Sequence, residues 1–391
     1  MDKKIIFLTA ILFASIMTNA QVNYLTIDKD IRLLKDSIEG VNLIKDLNSF
    51  LLSVKENKEV ERWILPEEKT ETQILINEIQ DFAGNDTINY TPYLVSLEAF
   101  SDKISYSIQI AYISLDSSQP LHALFEFIAY KKEGNFLFTS PLLRNTKDWH
   151  VKTDDYLVFH YQNKNHEVAV NEYAKFIKEY DAKLGVTQKT DFYFCEDYES
   201  MTQMMRLVGM PYKLDYNGFA WNSLAFEMED KIVNIFSKRL SQQNSIDPHD
   251  LFHMSASSAI PSEVRNHYMV CGCAYVYCGS WRISWTEIQR MFKSRMTYDK
   301  KTDWLKLYFE RYNFGESEER HLLVTQFVNA LIIEKVEKEQ GFPAVMKLLS
   351  SGNIYNAREN FFKILEEVAG ITEKNFNKKV ENLINDSMKN I

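Results

Sequence analysis

The sequence predicts an α+β protein of two domains. Three observations point to it. Apolar residues recur at helical spacing over 21–56, the period changes to strand-like alternation from Tyr93 to Ser140, and nearly everything beyond Thr302 is helical again. The chain has 391 residues, enough for two ordinary domains and a sizeable core.

Residues 1–20 read as an export signal. Lys3 and Lys4 form a basic start, Ile5–Met17 is an apolar run too short to span a bilayer comfortably, and Thr18-Asn19-Ala20 supplies small residues before a cleavage point. The expected mature chain starts at Gln21, in the periplasm or outside the cell. No later run is apolar enough to span a membrane. The signal carries two Lys and one Asp, so its removal takes the net charge from -9 to -10. An acidic exported chain without a basic cluster excludes nucleic acid and anionic membrane surfaces as expected partners.

The N-terminal domain is expected over 21–145. Its first helix fills 21–56, with an apolar stripe in which Ile27, Ile31, Leu33, Leu34, Ile38, Val41, Ile44, Leu47 and Leu51 recur at helical spacing, and Thr72–Phe82 is a second. Strands come next at Leu94–Phe100, Ile104–Ile113, Ala123–Lys131 and Asn135–Ser140, the last two joined by a tight turn at Glu133-Gly134. This layout is similar to the nuclear transport factor two-like or cystatin-like arrangement. It holds no catalytic set, and Asp116 with His122 reads as a loop pair. Asn145–Asp155 is polar and reads as a linker.

The second domain, 156–391, alternates at first: strand Tyr156–Tyr161, helix Val168–Leu184, strand Thr190–Cys195, helix Ser200–Val208, and strands Phe219–Phe226 and Lys231–Phe236. Helices Ile246–Ala259, Ser262–Tyr277 and Ser284–Met296 come after these, and the helical remainder runs to the end. Asp247-Pro248 is a favourable helix start, an N-cap followed by proline at the first helical position.

That helix carries His249-Asp250-Leu251-Phe252-His253. Positions i and i+4 share a helix face, so two histidines there can hold one metal from a rigid element. The spacing matches the H-E-x-x-H zinc motif, whose acid acts as general base on zinc-bound water. The same spacing also describes two ordinary helical histidines, and alone it leaves both readings open. There are four cysteines, Cys195, Cys271, Cys273 and Cys278. On one helix Cys271 and Cys278 would stand about 10 Å apart along the axis, beyond bridging range, so at least two thiols stay free.

From Tyr156 onward the order of short motifs resembles the peptidase MA-like, or gluzincin, zinc metallopeptidases. The sequence runs Phe159-His160-Tyr161, Glu179-Tyr180-Asp181-x-x-Leu184-Gly185, Asp191-Phe192-Tyr193, the histidine helix, Gly272-x-Ala274-Tyr275, and Phe327-Val328-x-x-Leu331-Ile332 to Gly341. The resemblance implies a small mixed sheet, a second ligand helix and a helical cap. It implies zinc on His249 and His253, a third ligand at Cys271, and Asp250 as the base. It also implies a tyrosine over the oxyanion, for which Tyr298, Tyr308 and Tyr312 are equal candidates. Two positions depart from the family. Asp250 stands for Glu and is one methylene shorter. Cys271 stands for the Glu ligand, as a replacement thiolate ligand or as a small buried residue of a site that has lost zinc. These departures lead to the expectation of a pseudopeptidase with lost or weak hydrolysis that binds peptide or protein. The alternatives are an active His/His/Cys zinc peptidase and a structural envelope protein. A Cys271–His253 protease has no supporting cue. Cys273 and Cys278 read as core, His267 and His321 as polar-face residues, and Glu263 as an exposed first-turn acid.

Overall fold

A computed structural model describes residues 24–27, 38–83, 89–114, 118, 120–195, 201–214, 223–236, 247–296, 298–299, 301–315 and 321–389. The signal segment, the cleavage point and Asp116 lie outside them. The described residues form thirteen α-helices and small sheets of mixed strand direction, an α+β fold. The chain groups into two compact units. The first comprises the described residues up to Trp149 together with those of 197–237, the second the described residues of 150–196 and 238–391. The sequence reading runs the second domain unbroken from Tyr156.

In the first unit, helices α1 (Ile38–Glu56) and α2 (Lys69–Ala83) accompany a sheet of β1 (Thr26–Ile27), β2 (Thr91–Ala99), β3 (Ser105–Ile113), β4 (Leu121–Lys132) and β5 (Asn135–Thr139), in that order. All pairs are antiparallel except β1 with β2. The β4–β5 turn puts Glu133 at φ 52° and Gly134 at φ 89°, the two positive angles that match the twist of a two-residue hairpin. Phe50 of α1 stacks on Phe138 at 4.8 Å and meets Phe127 edge-on at 5.4 Å, so the buried stripe of α1 closes one face of the sheet. The expected helix over 21–56 is corrected at its start. Asn48 Oδ1 accepts from the backbone N–H groups of Tyr24 and Leu25, both at 2.9 Å, and the chain there is the edge strand β1. Ile38 and Val41, placed in the apolar stripe, are exposed.

The short helices α3 (Leu142–Asn145) and α5 (Met201–Val208), strand β9 (Tyr212–Lys213) and the hairpin β10 (Ser223–Glu227) and β11 (Ile232–Phe236) complete this unit. Their attachment rests on contacts between residues far apart in sequence. Strand β9 pairs with β4, the Gly209 carbonyl accepts from Glu126 N–H at 2.7 Å, and Lys231 Nζ meets Glu71 at 2.7 Å with both side chains buried.

In the second unit, β6 (His150–Asp154), β7 (Leu157–Tyr161) and β8 (Thr190–Phe194) are joined antiparallel, then parallel. Strand β6 falls in the stretch expected to be a linker. It is an edge strand with neither face buried, so its sequence carries no apolar alternation. Helix α4 (Glu167–Leu184) connects β7 to β8 and ends at Gly185, φ 75°. Eight further helices complete the unit: α6 (Pro248–Ala259), α7 (His267–Cys278), α8 (Trp285–Arg295), α9 (Trp304–Phe309), α10 (Val324–Gln340), α11 (Phe342–Leu349), α12 (Arg358–Ala369) and α13 (Phe376–Met388). Helix α6 packs on α4 through Phe252 and Tyr180, whose rings are 5.4 Å apart. Helix α7 lies so close to α10 that a Cβ on Gly272 would stand 2.6 Å from Asn329 Cβ. No described helix is long and apolar enough to cross a membrane.

Candidate metal centre

Helix α6 begins where the sequence places its cap. The Asp247 side chain accepts from His249 N–H at 3.1 Å, and Pro248 occupies the first turn. His249 therefore sits in the first turn and His253 one turn on, with ring centroids 4.9 Å apart and Nε2 atoms 3.1 Å apart. Helix α7 begins at Asn266, whose side chain accepts from Met269 N–H at 3.1 Å. That cap starts the helix five residues later than the expected Ser262, and it leaves Glu263 in the exposed turn before the helix. Cys271 lies one turn into α7 with its Sγ 3.3 Å from His253 Nε2. Single ligand atoms of His249, His253 and Cys271 lie within 4.8 Å of one another.

The partners of each group set its protonation. His249 Nδ1 is 2.9 Å from the carbonyl oxygen of Gly279, which only accepts, so Nδ1 carries the hydrogen and Nε2 presents a lone pair. His253 as a residue is half-buried, but its ring is enclosed. That desolvation, and then the neighbouring His249, His267 and Arg265, hold its pKa well below the ordinary imidazole value. It stays neutral, the ligating form. Burial pushes the Cys271 thiol up to about 12, opposed by a hydrogen bond from Gln326. Gln326 in turn accepts from Tyr275 OH at 2.6 Å. A cation at the centre would favour the Cys271 thiolate instead.

Tetrahedral zinc, with nitrogen at about 2.0–2.1 Å and sulfur at about 2.3 Å, sets nitrogen–nitrogen edges of about 3.3 Å and nitrogen–sulfur edges of about 3.6 Å. The 3.1 Å and 3.3 Å separations come close to two of those edges, and the three ligand atoms all lie within 4.8 Å of one another. The three residues could hold a metal ion, and the hydrogen bond to Gly279 is the outer support that a ligating histidine ordinarily has.

Asp250 is exposed in the first turn of α6, and its charge acts on Cys271. Of the three candidate tyrosines, Tyr308 is buried and donates to Asn329 at 2.8 Å, Tyr298 packs on Phe292 and Trp304, and Tyr312 is exposed. His321 is exposed, and its carbonyl accepts from Trp281 Nε1 at 3.2 Å. His122 is not in a loop but on β4, buried, with its ring 4.6 Å from that of Tyr90. All four cysteines are free thiols. Sequence reasoning misses one residue. His267, which reads as a polar-face residue, has its Nε2 3.6 Å from Cys271 Sγ. Its signal is a second i, i+4 pair, His267-x-x-x-Cys271.

No family model matches the chain, and no curated protein matches it.

Proposed function

We propose that this is an exported zinc-binding protein of gluzincin type, a pseudopeptidase that keeps the metal centre while peptide hydrolysis is lost or weak. The observation that supports it most is the convergence of His249, His253 and Cys271 on one point, with His249 latched by Gly279. His249 and His253 would hold the ion through Nε2, and Cys271 as thiolate. A zinc ion there supplies Lewis acidity toward a carbonyl or a water. The chain's own acid limits the use of that acidity. Asp250 is one methylene shorter than glutamate, so its carboxylate reaches about 1 Å less far, and misplacement of that size costs on the order of a hundredfold. What the site retains is a rigid metal-bearing face for a peptide or protein ligand.

The test is zinc content. Full-length mature protein, purified under reducing conditions, should hold one zinc per chain and lose it in Cys271→Ala. Absence of zinc in the wild type would sink the proposal. Peptide hydrolysis by the wild type that disappears in Asp250→Asn would replace it with the active-peptidase reading.

A further inference from the structure

We propose that His267 is a fourth metal ligand at this centre and closes its coordination sphere. The inference rests on the zinc reading above and concerns what occupies the position that a hydrolytic site leaves to water. His253 is flanked alike on two sides. Its ring centroid is 4.9 Å from that of His249, at an interplanar angle of 40°, and 5.0 Å from that of His267, at 37°. The His267 Nε2 to Cys271 Sγ separation of 3.6 Å matches a tetrahedral nitrogen–sulfur edge of about 3.6 Å.

Both ligand helices present the same device. Helix α6 offers His249 and His253, and α7 offers His267 and Cys271, each pair one turn apart on one face. Cys271 Sγ lies between two imidazole nitrogens, with His253 Nε2 at 3.3 Å and His267 Nε2 at 3.6 Å. His267 is the first residue of α7 and is exposed, so no preceding helical turn blocks the rotation of its ring toward an ion. On binding, Cys271 gives up its thiol proton to solvent, and His267 donates the Nε2 lone pair while keeping its hydrogen on Nδ1. Four protein ligands make the closed arrangement of structural zinc sites, whereas catalytic sites keep one position open. Closure blocks hydrolysis independently of Asp250, so restoring glutamate at positions 250 and 271 alone would not restore a peptidase.

The experiment uses the full mature chain loaded with zinc or with cobalt(II), in wild type, His267→Ala and the control His321→Ala. Zinc affinity should fall at least roughly tenfold in His267→Ala, the lower end of what losing even an outer partner costs. It should be unchanged in His321→Ala. The cobalt absorption spectrum of the wild type should be indifferent to added azide, while that of His267→Ala should shift as azide enters the vacated position. A His267→Ala protein with wild-type affinity and wild-type azide response overturns the fourth ligand and leaves the three-ligand centre standing. A wild type that binds neither metal removes the centre itself.

Discussion

Nδ1 of His249 and the carbonyl oxygen of Gly279 stand 2.9 Å apart, across the chain from the start of α6 to the end of α7. The bond selects the tautomer of His249 and aims its ring. Its acceptor is held by backbone geometry that only glycine takes easily. Gly279 has φ 72° and ψ −151°, and a Cβ there would lie 1.9 Å from the Ile283 carbonyl oxygen. With zinc bound as proposed, Gly279→Ala should therefore lower its content while His249, His253 and Cys271 are all still in place. Metal content beside a circular dichroism spectrum decides it. Full zinc in a folded variant would show the latch to be dispensable.

The approach of α7 to α10 predicts a second effect. A methyl group on Gly272 would meet Asn329 Cβ at 2.6 Å and Ala330 N at 2.9 Å. Neither atom can move without its helix. Gly272→Ala should destabilise the protein by about 1–3 kcal/mol, the usual cost of overpacking. Urea denaturation measures it, and an unchanged midpoint would refute the contact.

In the first unit, Lys231 and Glu71 form a buried ion pair, 7% and 5% exposed. Removing one partner strands the other's charge. Lys231→Met should cost about 3–5 kcal/mol, and the double change with Glu71→Leu should recover most of it, because the stranded charge and not the lost attraction is the main penalty. Equal losses in the single and double variants would contradict this.

Asp181 gives a pH dependence with a definite sign. Burial, opposed by hydrogen bonds from Ser255 and Tyr156, raises its pKa above 3.8. The folded state then binds more protons than the unfolded state between 3.8 and the raised value. Stability contributed by the protonated form is present below that window and is lost as pH rises through it. Asp181→Asn should remove this slope in denaturation midpoints measured across the window. The same slope in the variant would assign it to another group.

The elements that build the centre are legible in the sequence because their signals are local. Asp247-Pro248 marks the start of α6, and the histidines one turn apart mark its working face. Cys271 is found only by order along the chain, since a lone buried thiol has no pattern of its own. His267 escapes notice because an exposed first-turn histidine looks like any solvated residue until Cys271 is known to be its neighbour in space. Strand β6 is hidden because neither face is buried, and the attachment of 197–237 because it depends on pairing with β4, far away in sequence.

That attachment also bears on how the protein is made. A ribosome releases the helices and strands up to Trp149 first, then the β6–β8 segment that groups elsewhere, and only afterwards the partners of β4 and Glu71. The first unit thus waits, incomplete, through the synthesis of an insertion, its β4 edge at Ala123–Leu124 lacking β9. An exposed strand edge is where a nascent chain pairs wrongly. Neither unit is a contiguous piece of gene, so no single cut in the chain separates the two.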